Sequence, residues 1–289
     1  MTPTQVERRD WMVVRWGRAC VPTVRYWMET EVHVYAFSIA ANVLLSFFPF
    51  LIVMVSLCHN VLRWRAAEDA IYLALNDYFP NPLGEFIQRN LQATLYRQPL
   101  QLFSILVLFF TANGIFEPLE VALNRAWGIT TNRSFFRNQV ISMGLIFVCG
   151  ALTMFSTVVT ALNVPTVMQV TERMPWLRHW ALLLFFKTAA VPMSILLLFL
   201  IYWLLPNAKI PARYLILPSV VVGLGLEALK WIVLLGWPWM RQKLQDEYGP
   251  FTYSVTIVLY SFLGSMIVLA GAEWSARRHN GHSSPPSPS

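Results

Sequence analysis

Charge is what this sequence has least of. Only 13% of its 289 residues are Asp, Glu, Lys or Arg, while 56% are hydrophobic. Soluble domains carry about 25% charged residues, so this chain has too few to cover the surface of a soluble fold. Cysteine and histidine are also scarce, at three and five. Cys20, Cys58 and Cys149 lie far apart, in neither a CxxC pair nor a dense disulfide framework, and read as small buried hydrophobes. His33, His59, His179, His279 and His282 form no HxH or HExxH arrangement. A P-loop, a GxGxxG turn and a Ser-His-Asp set are equally unrecognisable. No metal site, no cofactor and no catalytic residue is therefore expected, and the chain does not read as an enzyme. No cleavable signal peptide is expected either. The first 30 residues hold only short apolar runs broken by Arg15, Arg18 and Arg25, so the first span should act as its own insertion signal.

What the chain does have is long apolar runs, with a mean hydropathy of +0.50. Length alone allows one or two soluble domains, but the arrangement of apolar residues decides for a single membrane bundle. A helix needs about 20 apolar residues to cross the hydrocarbon core. Six segments qualify or nearly do: 36–58, 100–117, 139–162, 181–205, 212–236 and 252–274. The reading is an all-α, polytopic membrane helix bundle of about six transmembrane helices, with residues 35–278 as its membrane domain. Residues 1–34 precede it as a cytoplasmic juxtamembrane helical segment, whose Trp11, Trp16, Tyr26 and Trp27 suit the headgroup region. Residues 279–289, rich in Ser and Pro, are expected to be a disordered tail.

The net charge of +7 admits nucleic-acid binding, but the basic residues are spread through short loops and form no patch. They fit the positive-inside rule instead. With the N-terminus inside, Arg8, Arg9, Arg15, Arg18, Arg25, Arg125, Arg133, Arg137, Lys209, Arg213, Arg277 and Arg278 are cytoplasmic. Arg63, Arg65, Arg89, Arg97, Arg173, Arg178, Arg241 and Lys243 lie outside. The expected location is the bacterial inner (plasma) membrane, with both termini cytoplasmic, lipids as partners and no nucleic acid.

One connection, 59–99, is long. Asn81-Pro82 reads as a helix start, and Leu83, Phe86, Ile87, Leu91 and Leu95 follow at helical spacing. This amphipathic external segment either lies on the membrane or roofs the bundle.

Polar residues inside spans are costly, about 2.5–3.5 kcal/mol for a charge at mid-bilayer, so they should face the interior. Ser38, Asn42, Ser46 and Pro49 of the first span share a face about 80° wide. Asn113, Glu117, Glu120 and Asn124 share one about 60° wide, provided the helix continues past Pro118. Otherwise Glu117 caps a new helix and the stripe bends. Glu117 and Glu120 either line an interior path or sit at the cytoplasmic interface beside Arg125. Glu227 and Lys230, three apart, can pair on one helix. In the last span Ser261 and Ser265 accompany Gly264, Gly271 and Ala272, and Glu273 stands four residues from Arg277.

Several of these residues carry a family resemblance. Ala36-Phe37-Ser38 leading to Leu45-Ser46-Phe47-Phe48-Pro49 is similar to the first span of the YihY/BrkB membrane proteins. Ala122-Leu123-Asn124-Arg125-Ala126-Trp127-Gly128 resembles their segment after the second span. Glu227 with Lys230, then Tyr248-Gly249 and Gly271-Ala272-Glu273, match the closing half. The resemblance covers roughly residues 20–278 and implies six helices in the bacterial inner membrane. The ribonuclease label attached to that family finds no support in this chain's residues, whereas proton-coupled cation exchange, also proposed for it, fits the polar stripes. The resulting expectation is a transporter of protons and monovalent cations. Its intramembrane polar path is Asn42, Asn113, Glu117, Glu120, Asn124, Glu227 and Lys230, with Ser46, Pro49, Arg125, Gly271 and Glu273 as structural or helix-end residues. The alternative is a lipid-handling or envelope-integrity scaffold. A third reading makes the stripes packing seams only. Oligomeric state is not legible in the sequence.

Overall fold

A computed structural model describes residues 21–63, 65, 68, 69, 71, 72, 75, 81–95, 102–130, 134, 136–152, 155 and 191–283. Helix α1 covers 21–27. Helix α2 is Thr30–Ser56 and runs into a π-helical stretch, Leu57–Leu62. Then come α3 (Asn81–Leu95), α4 (Leu102–Ala126), α5 (Phe136–Leu152) and α6 (Val191–Leu204). Helices α7 (Ile216–Tyr248) and α8 (Thr252–Ser283) close the chain, with 3-10 turns at Ala212–Tyr214 and Gly249–Phe251. No strand occurs among the described residues. The stretch Thr30–His59 and the stretch Ala212–His279 each hold a helix long and apolar enough to cross a membrane, and α5 and α6 are shorter apolar helices.

The helices outrun the apolar segments that announce them. α2 starts at Thr30 and not near 36, and α7 continues twelve residues past 236, to Tyr248. Polar residues at helix ends keep the hydrogen-bond ladder while leaving the hydrocarbon, so hydropathy marks the bilayer crossing and not the helix. α8 likewise runs to Ser283. His279, at the expected start of the tail, packs its ring 5.4 Å from Trp127 and 5.0 Å from Tyr214. Residues 1–20 and 284–289, the expected headgroup-side Trp11 and Trp16, and most of the expected spans over 153–190 lie outside the described residues.

Contacts fix the helix directions. Phe37 of α2 stacks on Phe262 of α8, and the Trp27 indole N–H donates to the Met266 carbonyl at 3.0 Å. At the other end of α2, Phe47 and Phe48 share a cluster with Tyr253, so α2 and α8 are antiparallel. The small residues of α7 and α8 meet in descending register: a Cβ on Gly225 would touch Ile267, one on Gly264 Leu226, and one on Gly271 would overlap Val222. These pairs make an antiparallel hairpin around the Gly249 turn, where a positive φ of 50° suits glycine. Gly150 near the end of α5 faces Phe50 and Met54. Tyr202 near the end of α6 donates to the Val268 carbonyl at 2.6 Å. Helices α2, α4, α5, α6, α7 and α8 therefore alternate in direction, and both described ends of the chain lie at one end of the bundle.

The larger core cluster draws on α2, α4, α5, α6 and α8, with Ala36, Leu123, Leu145, Tyr202 and Leu269 fully enclosed. At the end away from the chain termini, Ile87 and Leu91 of α3 are buried with Leu75 against Leu51, Val55 and Trp237. Helix α3 thus roofs the bundle and does not lie apart from it. Burying Ile87 and Leu91 contributes about 1.5–3 kcal/mol each by transfer from water. Phe86 adds a stacked contact with Tyr253 at 4.8 Å.

Candidate functional site

The polar face of α2 is satisfied within its own helix. The Asn42 side-chain amide donates to the Ser38 carbonyl at 2.9 Å, and the Ser46 hydroxyl to the Asn42 carbonyl at 2.8 Å. α2 is continuous through Pro49, which lacks the N–H that the Leu45 carbonyl would otherwise receive. The Asn42 carboxamide lies directly over Gly114, where any Cβ would collide with it. This face is a close seam between α2 and α4, the packing reading of the stripe.

α4 continues through Pro118, so the stripe of Asn113, Glu117, Glu120 and Asn124 is straight. Its members nevertheless differ. Glu117 is exposed, whereas Glu120 and Asn124 are each only 5% exposed. The Asn124 amide reaches a Glu120 carboxylate oxygen at 3.5 Å, and its Oδ1 accepts the Asn207 backbone N–H at 2.8 Å. Asn207 belongs to the non-helical stretch after α6, between Pro206 and Pro211. Asn124 thus joins a buried carboxylate to a break in the backbone. The helix end explains the Asn124–Gly128 motif. Gly128, at φ +66°, lets its N–H reach the Arg125 carbonyl at 3.0 Å, and the Ile129 N–H reaches the Asn124 carbonyl at 2.8 Å. This is a Schellman stop, and it needs glycine where it stands.

Glu227 and Lys230 stand apart on α7. Lys230 is buried and Glu227 half-buried, but no ion pair joins them among the described residues. Their helix face packs on α6 one turn earlier, where Gly223 meets Ile195 and Leu198. On α8, Gly271 makes room for Val222 and the Tyr202 hydroxyl. Glu273 and Arg277 form the expected pair at 2.5 Å. The described residues hold no group of three or more His, Cys, Asp or Glu placed to bind a metal ion.

Sequence reasoning missed a crevice at the end of the bundle that carries the chain termini. It encloses about 170 Å³ between α1, the start of α2 and the end of α4, and is lined by Tyr26, Glu29, Glu31, Val32, Tyr35, Ala122, Arg125 and Ala126. Arg125 pairs with Glu31 across it. α1 is strapped down beside it, since the Arg277 guanidinium donates to the Thr23 hydroxyl at 2.6 Å. Burial first, and then the nearby Glu273 carboxylate, push the Tyr26 phenol well above its ordinary range, so it stays protonated. On α4 the lining residues Ala122, Arg125 and Ala126 lie roughly 100–160° around the helix from Glu120 and Asn124. The crevice and the polar stripe therefore use opposite faces of one helix. A sequence signal existed in the glutamates and tyrosines of 26–35, but their partners lie some ninety residues on.

Helices and no strands among the described residues, with apolar helices of membrane-crossing length packed through small residues and a sequence poor in charge, define a membrane protein. The chain belongs to the family described as virulence factor BrkB, whose profile matches residues 23–288. It is similar to the ribonuclease-like protein YfkH of Bacillus subtilis, 22% identical over 82% of this chain and 86% of that one. It is also similar to a UPF0761 membrane protein of Pseudomonas aeruginosa, 25% identical over 78% of this chain and 54% of that one. One from Acinetobacter baylyi is 25% identical over 83% and 57%. The chain thus spans about half the length of the UPF0761 relatives it matches. No solved structure matches it.

Proposed function

We propose that this chain is a six-span inner-membrane transporter exchanging protons for monovalent cations, with Glu120 as the carboxylate that binds them in turn. The observation that carries this reading is the burial of Glu120 beside Asn124 and the broken backbone at Asn207. Non-helical backbone beside packed helices presents carbonyls to cations, and this break lies at the end of the bundle that carries the chain termini. In this reading Glu120 holds the proton and the cation in turn, with Asn124 beside it as a neutral polar partner. No step needs an enzyme's nucleophile or metal.

Both described chain ends are cytoplasmic in this reading. Arg25, Arg125, Lys209, Arg213, Arg277 and Arg278 gather at that end, as the positive-inside rule requires. A membrane-impermeant maleimide that reached Lys209→Cys from outside intact cells would contradict this orientation.

The direct chemical test is carbodiimide modification, which selects protonated carboxyl groups in apolar surroundings. Peptide mapping should find Glu120 modified, at a rate that falls as Na⁺, K⁺ or Li⁺ is raised. Modification indifferent to all three cations, or absent from Glu120, contradicts the assignment.

A further inference from the structure

The crevice at the chain-terminal end lies on the face of α4 opposite Glu120, and its chemistry is different. Its two tyrosine rings, Tyr26 and Tyr35, stand with Glu29, Glu31 and Arg125 around about 170 Å³. Glu31 is matched by Arg125. The Glu29 carboxylate has no hydrogen-bond or ion-pair partner among the described residues, so the lining carries one negative charge beyond its pair. Carboxylates with tyrosine rings suit an organic ammonium ion, which gains both charge pairing and cation–π attraction. A guanidinium on the same rim suits a phosphate. Both needs are met within one crevice, as both charges are carried by one zwitterionic aminophospholipid headgroup.

Position agrees with chemistry. The crevice opens where α2 begins at Thr30, just ahead of its apolar run, and where α4 ends at Ala126. The neighbouring face of α2 is apolar and exposed at Val34, a surface for an acyl chain beside a polar notch at headgroup depth. We infer that this crevice binds the headgroup of a phosphatidylethanolamine-type lipid, its ammonium on Glu29 and the tyrosine rings and its phosphate on Arg125. This site is independent of cation exchange at Glu120 and stands or falls separately.

The test uses the full chain, delipidated in detergent, with lipid binding followed by native mass spectrometry and by thermal stability. Phosphatidylethanolamine should bind and raise the melting temperature, and phosphatidylglycerol, which lacks the ammonium, should do neither. Glu29→Gln, a change at an exposed position, should weaken phosphatidylethanolamine binding roughly tenfold or more, as expected for a lost charged hydrogen bond. Tyr35→Leu should weaken it as well. Soluble phosphoethanolamine that displaces the lipid places the recognition in the headgroup alone. Lipid binding that resists it, while still lost in Glu29→Gln, adds an acyl-chain contact at Val34. Equal binding of phosphatidylglycerol, or an undiminished phosphatidylethanolamine preference in Glu29→Gln, overturns the inference.

Discussion

Glu117 and Glu120 are less than one helical turn apart on α4, yet one is exposed and the other buried. Spacing places both on one stripe but says nothing about what covers it. Tertiary packing decides it: more than eighty residues later, the chain between α6 and α7 closes over Asn124, the neighbour of Glu120 on the stripe. The Asn42 stripe shows the opposite case: its polar groups spend their hydrogen bonds on their own helix. Tyr26 makes a residue-scale prediction. Its folded phenol holds its proton more tightly than the unfolded one, which titrates at about pH 10. Its contribution to stability is therefore fully present below that pH and lost as pH rises above it. Thermal melts of wild type should fall more steeply above pH 10 than those of Tyr26→Phe. Superimposable alkaline limbs would contradict the burial of Tyr26.

Elements were partly legible. Asn81-Pro82 and the stripe after it do start a helix, α3, at Asn81. Whether it roofed the bundle was decided by Leu51, Val55 and Trp237, which no local pattern reveals. The run past Pro118 was legible only as one of two alternatives, because an interior proline either kinks or ends a helix. The glycines of the closing helices were readable as close-packing residues, and Gly271 is where three helices converge. Gly271→Val would drive a side chain into Val222 and the Tyr202 hydroxyl. Overpacking of this kind costs about 1–3 kcal/mol. The variant should melt several degrees lower in detergent, while Gly236→Val, at a position with nothing within 4 Å, should not.

At the scale of the molecule, alternation of six helices places the chain ends, the Arg125–Glu31 bridge, Asn207 and the crevice at one end. α3 and the Gly249 turn lie at the other, joined through Phe86 and Tyr253. Composition and hydropathy made the membrane class readable because they report what the surface can tolerate. They could not reveal which neighbour covers each polar stripe, since that depends on helix rotation and packing. The central claim is that Glu120 carries protons and cations. Its most direct test is a liposome assay in which a trapped dye reports internal pH as Na⁺, K⁺ or Li⁺ is added outside. Wild type, Glu120→Gln and Glu227→Gln would be reconstituted in equal, folded amounts. Cation-driven proton movement that Glu120→Gln abolishes is the predicted result. No movement by the folded wild type, or movement that Glu120→Gln leaves intact, would contradict it.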